Sequence, residues 1–282
     1  MKSLLLILTG LLAGAVLVRA EESETLAERT LKQIVERQQT LLGEAGKAKD
    51  DDFEPQRFRA QVQDLSRAFE RLLQDNPKFA AGYAAYAALL GKIDMRKESA
   101  ALLLKANQLD PDIPFVKNQL GNYLAEEGKP LEAVNYFLAA IKLKPNEPLY
   151  HYQLGSLLTE ARDDFIKSGE WTRAALDQAI QTAFKLATEL APDRFEFAYR
   201  QAESFYDMEK PDWEAALRAW AALEEKAPTD VERQTMRLHA ANIFLKLGKP
   251  DHCRSLLDAI VEPSLQNQKQ KLVAQLAESE KK

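Results

Sequence analysis

Three prolines close apolar runs at equal intervals in this chain: Asn76-Pro77, Asp110-Pro111 and Lys144-Pro145 stand 34 residues apart each time. A period between about 20 and 50 residues marks stacked supersecondary units, because a short unit cannot bury its own apolar face and must share it with its neighbours. Residues 120–145, LGNYLAEEGKPLEAVNYFLAAIKLKP, show what one unit contains: two apolar-periodic runs hinged at Gly128 and Pro130. Gly128 suits the left-handed position that ends a helix, and Pro130 fits the first turn of the next, where a missing N–H is harmless. Ala, Leu, Glu, Lys and Gln dominate, and runs of Val, Ile and Thr are scarce, so every unit is expected to be helical. The next prolines that close an apolar run, Pro192 and Pro228, come 47 and 36 residues on, which places an insertion in one unit at about residues 162–171.

Laid on this ruler, the units match internally. Leu120, Gly121, Leu124, Ala133, Phe137, Ala140 and Pro145 have counterparts in Tyr86, Ala87, Leu90, Ser99, Leu103, Ala106 and Pro111. Leu154, Gly155, Leu158, Phe184, Ala187 and Pro192 follow, then Ala202, Phe205, Ala216, Trp220 and Pro228, then Ala241, Phe244, Gly248, Pro250 and Leu257. The pattern resembles the tetratricopeptide repeat family. That resemblance implies an all-α, tetratricopeptide-like right-handed superhelix of stacked antiparallel helix pairs, with about five units. Residues 55–263 form the array, preceded by an N-terminal helix and acidic loop at 21–54 and followed by a polar capping helix and tail at 264–282. Small residues such as Gly121, Ala133 and Ala140 would let helices approach, and Leu120, Leu124 and Phe137 would fill the gaps. Cys253, the single cysteine, falls on the Ala133 register and is expected to pack as a small buried residue.

The first twenty residues differ from the rest. Lys2 precedes an apolar stretch from Leu4 to Val18, and Val18-Arg19-Ala20 offers small residues before a cut, so residues 1–20 are expected to be a secretory signal peptide cleaved after Ala20. An uncleaved anchor is the alternative, although the stretch is shorter than the roughly 20 residues of a comfortable span. Cleavage removes Lys2 and Arg19 and no acid, taking the formal charge from -5 to -7. No membrane span is then expected in the mature chain. The short signal, the lack of any disulfide pair and the absence of Asn-x-Ser/Thr triplets point to a bacterial periplasmic or secreted protein. A mildly acidic chain without a basic patch is not expected to bind nucleic acid.

Signs of catalysis are few. No phosphate loop, nucleophile elbow, His-Glu-x-x-His or Cys-x-x-Cys occurs, so neither an enzyme nor a cofactor is expected. His151 falls on a packing register. His252 beside Cys253 would point to a different side of its helix, which speaks against a metal pair. Asp163-Asp164 and Glu126-Glu127 read as solvated helix or turn residues. Function is therefore sought in recognition. The resemblance implies that the first helix of each unit lines a concave groove, with ligand-facing positions at Ala81, Ala84 and Ala88, at Phe115, Asn118 and Asn122, at Leu149, Tyr152 and Ser156, and at Glu196, Tyr199, Glu203 and Tyr206. Asn118 and Asn122 would hydrogen-bond a peptide backbone, the tyrosines would supply rigid contact area, and Glu196 and Glu203 would favour basic partners. A clamp for a partner's terminal carboxylate, which some relatives use, is not expected, since Ala84, Asn118, Gln119 and Gln153 stand where it needs other residues and only Asn122 fits. The expected role is a protein-interaction module binding a peptide or loop of a protein partner. The alternative is a structural or assembly subunit of a cell-envelope complex, tethered if the signal is retained.

Overall fold

The computed structural model describes residues 24–47 and 53–280. The expected signal peptide and the acidic run at Lys49 to Asp52 lie outside the described residues. Two compact units divide the chain, Met1–Pro145 and Asn146–Lys282.

The first unit is a series of helix hairpins: α1 (Leu26–Lys47) with α2 (Pro55–Asp75), α3 (Ala80–Lys92) with α4 (Arg96–Leu109), and α5 (Pro114–Glu126) with α6 (Pro130–Leu143). Prolines open α2, α5 and α6, and the connections between hairpins are four residues long because Asn76-Pro77 and Asp110-Pro111 stop the chain and turn it. Between paired helices the turn needs a positive φ. Gly128 supplies it at 71°, and one period earlier Asp94 adopts 64° in the same role. Each core crosses a hairpin boundary. Leu31, Ile34, Leu65, Phe69 and Leu72 of the first pair pack with Ala85 and Leu89 of α3. Ala84, Ala87, Leu103 and Ala106 of the second pack with Phe115, Val116 and Leu120 of α5. Burying each such Phe or Leu contributes about 1.5–3 kcal/mol, and part of that burial comes from the next repeat, which is why no hairpin would persist alone.

The second unit contains α7 (Pro148–Glu160), α8 (Arg162–Lys167), α9 (Arg173–Leu190), α10 (Phe195–Ser204), α11 (Trp213–Lys226), α12 (Asp230–Lys246), α13 (Pro250–Asp258) and α14 (Gln266–Ser279). Helix pairs α7/α9, α10/α11 and α12/α13 continue the repeat. The entry helix α12 is longer than its counterparts and starts with a reciprocal cap between Thr229 and Glu232. Leu265, Leu272 and Leu276 close the last core against Leu238, Ala241, Leu257 and Cys253, whereas Val273 stays 46% exposed. Cys253 is wholly buried, and His252 stacks on Phe244 at 5.0 Å on another side of the hairpin.

The insertion packs into the second unit. α8 buries Phe165 completely, with Trp171 edge-on at 5.9 Å. Buried Asp177 of α9 then ties three segments together. It accepts hydrogen bonds from Arg162 of α8, from Arg173 Nε at 3.2 Å and from the Glu209 N–H at 2.8 Å. Both guanidinium groups also donate to the Asp207 carbonyl. Placing one carboxylate among two cations and an N–H meets the requirement that a buried charge be paired and fully bonded.

Candidate functional site

Helix spacing brings the expected ligand-facing positions onto one face of each first helix, but the two units treat that face differently. In the first unit it is filled. Ala84 and Ala88 leave space beside α3, and Phe115 of α5 occupies it, so Phe115 is 4% exposed and belongs to the core. Asn118 is 1% exposed, and neither of its amide atoms has a hydrogen-bond partner. The expectation of solvent-facing side chains is corrected at these two positions: small residues on α3 let the next helix close in, which buries what the repeat register alone would expose. Asn122 is half-buried and engaged with neighbours.

In the second unit the same face carries partly exposed rings. Leu149 is buried at the start of α7, while Tyr152 and Ser156, one and two turns on, remain half-exposed. The Tyr152 ring lies 4.6 Å from Phe197 of α10 and 5.9 Å from Phe184 of α9. Burial raises its phenol pKa above the ordinary value, opposed by Arg200 and by a hydrogen bond with Ser156 and helped by Glu196. Tyr199 stands edge-on to both Trp220 (5.2 Å, 88°) and His239 (6.1 Å, 87°). Its phenol is pushed up first by burial and then by Glu203, so it stays a hydrogen-bond donor at neutral pH. Tyr206 lies in the 3-10 turn Phe205–Asp207 that ends α10, and its Oη sits 3.2 Å from His239 Nδ1.

His239, Arg194 and Arg200 adjoin this face and were not singled out from sequence, while Trp220, read there as a repeat-register residue, is buried beneath it. The His239 and Trp220 rings stack at 3.9 Å and 2°, and burial lowers the imidazole pKa to about 4. Glu196 is ion-paired with Arg194, and Glu203 with Arg200. Those same arginines lie over rings, Arg194 over Phe197 at 4.8 Å and Arg200 over Phe184 at 5.6 Å. Glu196 and Glu203 remain exposed, at 48% and 38% of the side chain, so a basic partner would compete with these arginines for them. The i,i+3 spacing of Arg200 and Glu203 could have shown one of these pairs beforehand; the Trp220–His239 stack joins residues 19 apart on different helices and left no local signal.

Chemically, the face offers flat ring area and protonated phenols. Among the described residues, no three His, Cys, Asp or Glu side chains gather as a metal site would require, and no helix is long and apolar enough to cross a membrane.

No family model matches the sequence, and no curated protein does. Solved structures do. YrrB, described as a tetratricopeptide protein with an unusual peptide-binding site, is 17% identical, with 77% of this chain and 100% of that one covered and a TM-score of 0.58. PilF of Pseudomonas aeruginosa is 16% identical, covering 89% and 99%, with a TM-score of 0.57. PilW, described as a type IV pilus biogenesis factor, is 11% identical, covering 87% and 99%, with a TM-score of 0.56. At these identities the likeness establishes the fold: an all-α, tetratricopeptide-like array of helix pairs.

Proposed function

We propose that this chain is an exported protein-interaction module whose first-helix face in the second unit receives a peptide or loop of a partner protein, in the periplasm or outside the cell. The observation that carries this reading is the set of partly exposed tyrosines, Tyr152, Tyr199 and Tyr206, each held by neighbouring rings. Rigid aromatic side chains lose little entropy on binding and dominate the energetics of interfaces. The peptide-binding site named for YrrB accords with this use of the fold. Export rests on residues 1–20 alone.

A second reading, an assembly subunit of a cell-envelope complex, draws on a different observation. Leu104 and Leu138 occupy the same register on α4 and α6 and are 48% and 47% exposed, where other second helices put Glu70, Lys185, Ala221 and Asp258. Single-residue variants separate the two. Tyr152→Ala and Tyr199→Ala should each weaken capture of the partner from envelope extract by about thirty-fold or more, the scale of an interface anchor, with the helical circular dichroism unchanged. Full retention by both, with loss in Leu104→Ser and Leu138→Ser, would transfer the function to the second-helix face.

A further inference from the structure

Two carboxylates of the second unit stand where their own helices do not favour them. Glu160 is the last residue of α7, and Asp207 is the last of the 3-10 turn that ends α10. The free carbonyls of a helix C-terminus carry partial negative charge, so an acid is unfavourable there and a cation is favourable. Both residues line one cleft of about 590 Å3, together with Asp163 and Asp164 of α8 and the ring of Tyr206. All four carboxylates are exposed, and none is in an ion pair among the described residues. The two guanidinium groups in the lining are already engaged: Arg162 and Arg173 pair with buried Asp177 and donate to the Asp207 carbonyl. Lys167 and Lys210, which are unpaired, lie outside the lining. The charge left uncommitted in the cleft is therefore negative.

The cleft continues the tyrosine face. Tyr152, Ser156 and Glu160 follow one another at i,i+4 spacing along α7, and Tyr206 belongs to both the face and the cleft. We propose that this face takes a basic protein segment, with a lysine or arginine side chain seated in the cleft among Glu160, Asp163, Asp164 and Asp207. The inference rests on the reading of this face as a partner site and specifies the chemistry of what it takes. A long basic side chain suits both parts of the site: its apolar stem lies along aromatic rings while its charged head reaches the carboxylates, and a cation over a tyrosine ring gains further attraction. Elsewhere on the face a partner cation has competitors. Arg194 and Arg200 hold Glu196 and Glu203 and lie over Phe197 and Phe184. In the cleft no such cation has to be displaced from the four carboxylates, so the charge of the partner is read there. The insertion thereby acquires a role, since α8 supplies two of the four carboxylates and is fixed in place by buried Phe165 and by the pairing of Arg162 with Asp177.

The test uses the full chain without residues 1–20 and three decapeptides, alternating Arg-Ser, Gly-Ser and Glu-Ser, titrated by calorimetry at 50 and 500 mM NaCl. Arg-Ser should bind saturably at the lower salt and about five-fold or more weakly at the higher, because exposed charges are screened. Gly-Ser and Glu-Ser should not bind. Two double variants remove the same formal charge from different places: Glu160→Gln with Asp207→Asn in the cleft, and Glu98→Gln with Glu132→Gln on the exposed surface of α4 and α6. The cleft variant should weaken Arg-Ser by about ten-fold and the surface variant by less than about two-fold. Absence of saturable Arg-Ser binding at millimolar concentration overturns the proposal, as does an equal loss in the two double variants, which would reduce the effect to the overall acidity of the chain. Capture of the partner from envelope extract separates this proposal from the reading beneath it. If Tyr152→Ala and Tyr199→Ala lose the partner while the cleft variant keeps it, the basic occupant falls and the face stands. Retention by both tyrosine variants overturns the face itself, and the proposal with it.

Discussion

His239 is held neutral by its surroundings, and that has a measurable consequence. The imidazole stacks on Trp220 and meets Tyr206 Oη, and burial depresses its pKa to about 4 from an ordinary 6.5. An unfolded chain therefore takes up a proton near pH 6.5 that the folded chain refuses until about pH 4. Stability linked to this residue is complete above pH 6.5 and falls through the window down to pH 4, by up to about 3 kcal/mol. In His239→Phe this part of the pH dependence should vanish, so that the gap in Tm between pH 7.5 and pH 4.5 narrows relative to the parent protein. An unchanged gap would mean that the native imidazole titrates normally. Little of this was legible beforehand, because the residues that desolvate His239 come from other helices. Cys253 was legible, since its register alone placed it where Ala133 sits.

Helices in this fold meet over glycine and alanine, and the closeness of approach varies from pair to pair. A Cβ added at Gly155 of α7 would stand 2.8–3.0 Å from the ring carbons of Phe184 on α9, and one at Gly121 would stand 3.0–3.2 Å from Phe137 on α6. At Gly43 of α1 nothing lies within 4 Å. Gly43→Ala should therefore stabilise by about 0.5–1 kcal/mol through helix propensity, while Gly155→Ala should destabilise by about 1–3 kcal/mol through overpacking, despite the same propensity gain. Denaturant unfolding of the two variants decides this; equal shifts would contradict the packing account. The hairpins themselves could be read from the 34-residue proline spacing, from Gly128-Lys129-Pro130 and from Gly248-Lys249-Pro250, since backbone requirements leave a local mark. The burial of Phe115 and Asn118 left none. It follows from how far α5 closes onto Ala84 and Ala88, and that distance is a property of two helices together. The network at Asp177 was equally silent, joining residues up to 45 apart through charges that singly look like surface residues.

For the molecule as a whole, repetition explains why the architecture was readable and the use of its faces was not. A period reports that units stack. Which face stays open depends on the residues that vary between units: Phe115 fills the first-helix face in the first unit, whereas Tyr152, Tyr199 and Tyr206 line it in the second. Short-range ion pairs then moderate the charge of that open face, since Arg194 and Arg200 accompany Glu196 and Glu203. The central claim is that this face holds a partner. It is tested most directly by photo-crosslinking in living cells, with a photoreactive residue placed singly at Ser156, Glu196, Leu104, Leu138 or Lys185, and the adducts identified by mass spectrometry. The account predicts that Ser156 and Glu196 both capture one continuous segment of one partner protein and that the other three positions do not. Adducts formed only from Leu104, Leu138 and Lys185 would contradict it.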